Sequence, residues 1–234
     1  MNTYQTNLYN DLIQLTNENE AFFFSEVDVD DTHYRIFNYR MASYTDFLLP
    51  SALECRGVMF EVDKTGNALN LKSLPLAKFF NLNENPMTMD LDLSTIVEIA
   101  DKADGSLIST WNHVADYADV PKDEFQVKSK GSISSDQAIA ANMWLHLPEN
   151  KAFREELILA DRLDCTVSLE WCAPNNRIVL PYMEAHLKVL GVRSRETGEH
   201  VEFDDIDSYH FPESLKRWTK ILNVSDIINY MATC

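Results

Sequence analysis

The sequence predicts an α+β fold built mainly from antiparallel sheets. Many short apolar runs of strand length are punctuated by turn residues, and only a few segments carry helical spacing. The regular strand–helix–strand alternation of a parallel sheet is absent. At 234 residues the chain is the size of a single domain, expected to span 1–234, and no repeat, low-complexity tract or Pro/Gly/Ser linker divides it. Its 45% hydrophobic and 24% charged residues are globular values, which exclude a disordered or collagen-like chain.

The elements follow in order. Tyr4, Leu8, Leu12 and Leu15 fall near helical spacing, so the opening segment reads as an amphipathic helix. Residues 21–26 and 33–39 read as two strands joined across 28–32. Residues 55–62 and 68–73 read as a hairpin around Lys64-Thr65-Gly66-Asn67. Residues 95–100 and 105–111 flank the turn Ala103-Asp104-Gly105, and 125–130, 166–171, 177–182 and 186–193 each have strand length. Two helices interrupt the series. One starts near Ser134, where Ser134-Ser135-Asp136-Gln137 fits a capping box; the other follows Pro148 over 152–163. From Asp204 onward, 213–222 and 225–231 read as helical.

Charge and cysteine usage narrow the function. The 20 Lys and Arg against 37 Asp and Glu give a net charge of −17, which excludes a uniformly basic nucleic-acid coat. Any polyanion must be met by a few placed cations. The four cysteines form no C-x-x-C pair, so reduced thiols in a cytoplasmic protein are expected. No apolar run reaches the roughly 18 residues of a membrane span, and the first residues do not read as a signal peptide. The six histidines lack zinc spacing, and no serine sits in G-x-S-x-G.

Three of the six glycines lie beside cations, in Cys55-Arg56-Gly57, Lys102-Ala103-Asp104-Gly105-Ser106 and Lys128-Ser129-Lys130-Gly131-Ser132. Glycine permits close backbone approach, and Arg and Lys suit phosphate. Lys102 follows the apolar run Ile96, Val97, Ile99, Ala100 and precedes a tight turn, a placement that presents an amine on a rigid support. A lysine attacks only when neutral, and near pH 7.5 an ordinary one is neutral about one part in a thousand. Burial, neighbouring cations or a metal can supply the missing three units or so. Arg56, Lys78, Lys128 and Lys130 are the candidate cations, and period two puts Lys128 and Lys130 on one strand face, which suits a double contact with a polyphosphate. In Thr166-Val167-Ser168-Leu169-Glu170-Trp171 the apolar residues share one face, which leaves Glu170 on the other, towards a ligand hydroxyl, a metal or water.

These motifs resemble the ATP-dependent RNA ligase 1 family of T-even-type phages, within the covalent nucleotidyltransferases. The resemblance rests on the K-x-D-G motif of Lys102-Ala103-Asp104-Gly105 together with collinear segments. These are Tyr34-Arg35-Ile36-Phe37, Ala42-Ser43-Tyr44, Leu53-Glu54-Cys55-Arg56-Gly57, Lys78-Phe79-Phe80-Asn81-Leu82, Lys128-Ser129-Lys130-Gly131-Ser132, and Ala173-Pro174 with Asn176-Arg177-Ile178-Val179-Leu180. It implies a nucleotidyltransferase domain in which Lys102 attacks the α-phosphorus of ATP to give lysyl-AMP. Arg56, Lys78, Lys128 and Lys130 would contact the nucleotide and its phosphates, and Asp104 and Gly105 would complete the motif. Glu170 would bind the ribose or adenine side, and Mg²⁺ would bridge phosphate oxygens. RNA would be the substrate, its 5′-phosphate joined to a 3′-hydroxyl, with nicked tRNA as the expected case and a phage host's cytoplasm as the setting.

Beyond Glu170 the family has a glutamate–glycine strand, a K-x-K strand and a helical RNA-recognition domain, and none of these is legible here. The sequence reading is therefore of a domain incomplete at its C-terminus, the front portion of a split or truncated ligase that would need a second polypeptide. The alternative is a remnant module that holds nucleotide or RNA without transfer.

Overall fold

The computed structural model describes residues 1–92, 102–115 and 122–201. Helix α1 (Thr3–Glu18) begins at a reciprocal cap: the Asn2 side chain accepts the Gln5 N–H at 2.9 Å, and the Gln5 side chain accepts the Asn2 N–H at 3.2 Å. Its buried face of Leu8, Tyr9, Leu12 and Leu15 packs on the first sheet with Phe22, Phe37 and Phe60.

That sheet runs β1 (Phe22–Val29), β2 (Thr32–Tyr39), β3 (Val58–Val62), β4 (Ala68–Ser73), all antiparallel and in sequence order. The β1–β2 turn is tight, with Asp30 in the left-handed region at φ 51°. In the β3–β4 turn the Asp63 carboxylate accepts the N–H groups of Thr65 and Asn67, and Gly66 takes φ 88°.

The second sheet has the order β6-β5-β7-β8, from β5 (Ser106–Ala115), β6 (Lys122–Ser129), β7 (Cys165–Cys172) and β8 (His186–Ser194). Helices α2 (Asp136–Leu145) and α3 (Lys151–Arg162) cover one face, where Ile108, Val127, Leu145, Leu157, Val167, Leu169 and Trp171 form the core. The described residues thus form two antiparallel sheets with three α-helices and no closed barrel. None of the described helices is long and apolar enough to cross a membrane.

The face of β7 away from that core holds the two sheets together. The Thr166 and Ser168 hydroxyls accept the N–H groups of Leu74 and Leu76, at 2.9 and 3.0 Å. Between the sheets, Tyr34, Ile36, Met59 and Trp111 pack as a small core, and the Tyr34 hydroxyl sits 2.6 Å from His113 Nδ1. Alternation along β7 therefore seats two hydroxyls on the segment after β4 and leaves Glu170, next on the same face, beyond that contact.

Two expectations are corrected. Residues 177–182 are not a strand. A 3-10 turn (Pro174–Asn176) leads into a bend, and the N–H groups of Val179 and Leu180 go to the Asp104 carboxylate, at 2.6 and 2.7 Å, instead of to a neighbouring strand. Helix α2 is capped by Ser135, whose side chain accepts the Ala138 N–H at 3.2 Å; position N3 is alanine, so the capping box from Ser134 does not form. The strand read at 95–100 and the helices read at 213–222 and 225–231 lie outside the described residues.

Candidate active site

Arg56 stands on the turn that leads into β3, and Lys78 on the extended segment after β4. Lys130 follows the end of β6. The three form one electropositive cluster. Lys130 is lowered chiefly by burial, then by the charge of Arg56, with Lys78 adding to it and Cys55 opposing. Lys78 is lowered by burial, with Glu84 opposing and Arg56 adding, and Arg56 is lowered by its own burial. The charge of Arg56 thus lowers both lysines, and Lys78 also lowers Lys130, as like charges held near one another do.

Aromatic rings wall the cluster. Lys130 Nζ lies 4.3 Å from the centroid of the Tyr39 ring, Lys78 Nζ 4.3 Å from Phe80, and the Arg56 guanidinium 5.2 Å from Phe79. Phe79 is 63% exposed and leaves a ring face open. A cavity of about 360 Å³ adjoins, lined by Tyr39, Met41, Tyr44, Lys78, Phe80 and Glu84 among others.

The second sheet supplies the other side. Glu170, half-buried on β7, is raised mainly by burial, while the Gly105 N–H, Lys102 and Arg56 pull it down. Gly105 is required at its position because a Cβ there would run into the Trp171 carbonyl oxygen. The Asp104 carboxylate, held below the usual range by the Val179 and Leu180 N–H groups, anchors the 178–180 bend, and its own N–H donates to the Tyr182 hydroxyl at 3.0 Å. Asp104 is thus occupied in shaping the turn that carries Lys102.

Lys102 itself is exposed, at the rim, with its charge felt by both Glu170 and Asp104. The sequence reading asked for burial or nearby cations to prepare this amine, and burial is not what the structure supplies. Lys128 departs from expectation in the opposite sense. It is 0% exposed, and its Nζ donates to the Gly57 carbonyl at 2.5 Å, so it does not share an open face with Lys130. The structure thus links Arg56 to Lys78, Lys130 and Glu170, and Glu170 to Lys102 and the Gly105 N–H, whereas Asp104 is taken up by the 178–180 bend and Lys128 is buried.

The sequence reading missed the support beneath the cations. Arg193 on β8 is buried and grips the Glu54 carboxylate with both terminal nitrogens, at 2.6 and 2.9 Å; it also donates to the Pro75 carbonyl at 2.9 Å. One guanidinium thereby ties the chain just before Arg56 to the chain just before Lys78. Glu54 lies within a motif that was singled out, but nothing local marks Arg193.

Among the described residues, no three His, Cys, Asp or Glu side chains converge as a metal cage. Cys55, Cys165 and Cys172 are free and buried, with burial pushing Cys55 up to about 12 and Cys165 to about 11, so these thiols are not nucleophiles at neutral pH. The chemistry available is therefore a cluster of three cations suited to an anion, a carboxylate with raised pKa, and an exposed lysine. A family model of RNA ligases matches residues 54–232, a span that includes every one of these groups. The chain belongs to the RNA ligase family of the T4 RNA ligase 1 type.

Proposed function

We propose that this RNA ligase is ATP-dependent and works through a covalent lysyl-AMP on Lys102. The observation that carries the reading is the Arg56–Lys78–Lys130 cluster, in which the charge of Arg56 lowers both lysines and so favours a bound polyanion, beside a Glu170 carboxylate that feels both Arg56 and Lys102. In the reaction, the Lys102 Nζ lone pair forms a bond to the α-phosphorus, the bond to the bridging oxygen breaks, and pyrophosphate departs with that electron pair. The amine nitrogen passes one proton to solvent water as the bond forms, since Lys102 is exposed. Arg56, Lys78 and Lys130 hold the phosphates and meet the charge that develops on the leaving group. Glu170 faces the nucleoside end, where its carboxyl accepts from a hydroxyl or amino group.

A divalent ion such as Mg²⁺ fits a site with one nearby carboxylate and abundant substrate oxygens, and it would neutralise phosphate charge. AMP would then pass to an RNA 5′-phosphate, and a 3′-hydroxyl would displace it to seal the strand, with tRNA cut in its anticodon loop as the proposed substrate. The test is incubation with ATP labelled in the α-phosphate and Mg²⁺. Covalent label on the wild type and none on Lys102→Ala supports the reading. Equal label on both proteins assigns the chemistry to another residue.

A further inference from the structure

Lys128 is the most deeply buried cation of the described residues, and the mechanism above leaves it without a role. Its ammonium meets the Gly57 carbonyl at 2.5 Å and the Ser129 carbonyl at 3.4 Å, and among the described residues it meets no carboxylate. Gly57 belongs to the turn that carries Arg56, whereas Lys128 belongs to the strand that ends at Lys130. The two turns touch directly. Gly57 has φ +94°, and a Cβ on it would stand 2.7 Å from the Lys130 carbonyl oxygen and 3.3 Å from Lys128 Nζ. No side chain other than hydrogen fits between them.

We infer that Lys128 is a positioning residue of the nucleotide site, its buried ammonium fixing the Arg56–Gly57 turn against the Lys130–Gly131 turn so that Arg56 and Lys130 grip one polyphosphate together. The inference rests on the ATP-dependent reading above and adds to it a residue that never touches the nucleotide. It also explains why an uncompensated cation is kept in the interior. A polyphosphate on Arg56 and Lys130 lies just outside the wall that Lys128 forms, and the field of that anion favours the charged amine.

Of the groups around Lys128, Lys130 is also lowered and can also respond to a bound anion. The neighbouring turn contributes Cys55, whose thiol is pushed up to about 12, and Arg56; the strand end contributes Lys130; and the residue opposite on β5 is the neutral Ser109. Burial lowers the Lys128 amine to about 7, so at pH 8 it is mostly neutral in the free protein. Nucleotide binding should then draw in a proton.

The experiment is calorimetric titration of the full chain at pH 8 with Mg²⁺ and the α,β-methylene analogue of ATP, whose bridging carbon blocks transfer to Lys102, in two buffers of different ionisation enthalpy. At this pH the phosphates of the nucleotide are already ionised. Wild type should take up a fraction of a proton on binding. Lys128→Met, which keeps the length and loses the donor, should take up less than wild type and bind about tenfold more weakly, the scale of one lost hydrogen bond to a charged group. Lys128→Gln, which restores a donor, should recover part of the affinity but not the proton. Proton uptake in Lys128→Met equal to that of wild type, or affinity equal to wild type in both variants, overturns the inference while leaving the ligase reading intact. The proton count of wild type alone decides the matter should neither variant fold, because its absence removes the charge response claimed for Lys128. Nucleotide binding absent from wild type defeats the ligase reading first and this one with it.

Discussion

The two walls of the cleft are held by different means. On the first-sheet side, Arg56 and Lys78 stand on irregular chain, fixed from behind by Arg193 reaching across from the second sheet to Glu54 and Pro75. On the second-sheet side, Glu170 is placed by strand register opposite Leu107, and the Lys102 turn by the Asp104 and Gly105 contacts. One wall depends on long-range tertiary ties, the other largely on local turn chemistry and pairing. The contrast teaches that the Arg56–Lys78 side and the Lys102 side can be damaged separately, and the substitutions below exploit that.

The largest expected effect concerns Lys128, between the walls. Its amine is lowered from 10.5 to about 7 in the folded chain, so the unfolded chain binds more protons between those values. Stability should therefore rise with pH through that window, by up to about 5 kcal/mol at ~1.4 kcal/mol per unit. Urea unfolding at pH 7 and pH 9.5 should show this slope in wild type and lose it in Lys128→Met. An unchanged slope would mean that the lysine is reached by water.

Next comes the first-sheet wall. Arg193→Met leaves Glu54 facing the interior without its partner and should cost about 3 kcal/mol, as broken buried pairs do. Its activity signature should be a raised KM for ATP, because Arg56 and Lys78 lose their common anchor; a drop in kcat alone would contradict the clamp. Asp104→Asn tests the other wall. A carboxylate held low by two N–H donors stabilises the fold above its unfolded pKa, and the benefit is lost as pH falls through the folded value. The variant should lose stability at neutral pH and be less sensitive to acid, with the rate of lysine modification falling while ATP affinity is kept. The smallest effect is remote from both walls. Ser135→Ala removes the α2 cap and should lower stability by about 1 kcal/mol with no change in nucleotide binding.

The same contrast explains what the sequence could reveal. The Lys102 turn, the period-two face of β7 and the hairpins were legible because each is encoded within a few neighbouring residues. The reading failed where the partner is distant in sequence. Residues 177–182 have strand composition, yet Asp104 captures the backbone donors that a strand would use. Lys128 and Lys130 alternate like residues of one face, but β6 ends at Ser129, and Gly57 closes over the first lysine while Tyr39 receives the second. Arg193 carries no local motif at all, since its role arises only when β8 is folded beside the segments of residues 54 and 75.

The central claim is that the amine of Lys102 becomes bonded to the α-phosphate of ATP inside this cationic cleft. Peptide mapping by mass spectrometry after incubation with ATP and Mg²⁺ tests it most directly. The account predicts an adenylyl mass on the peptide that contains Lys102, diminished by Arg56→Ala and by Lys130→Ala. An adenylyl group found on another lysine, with Lys102 unmodified, would contradict it.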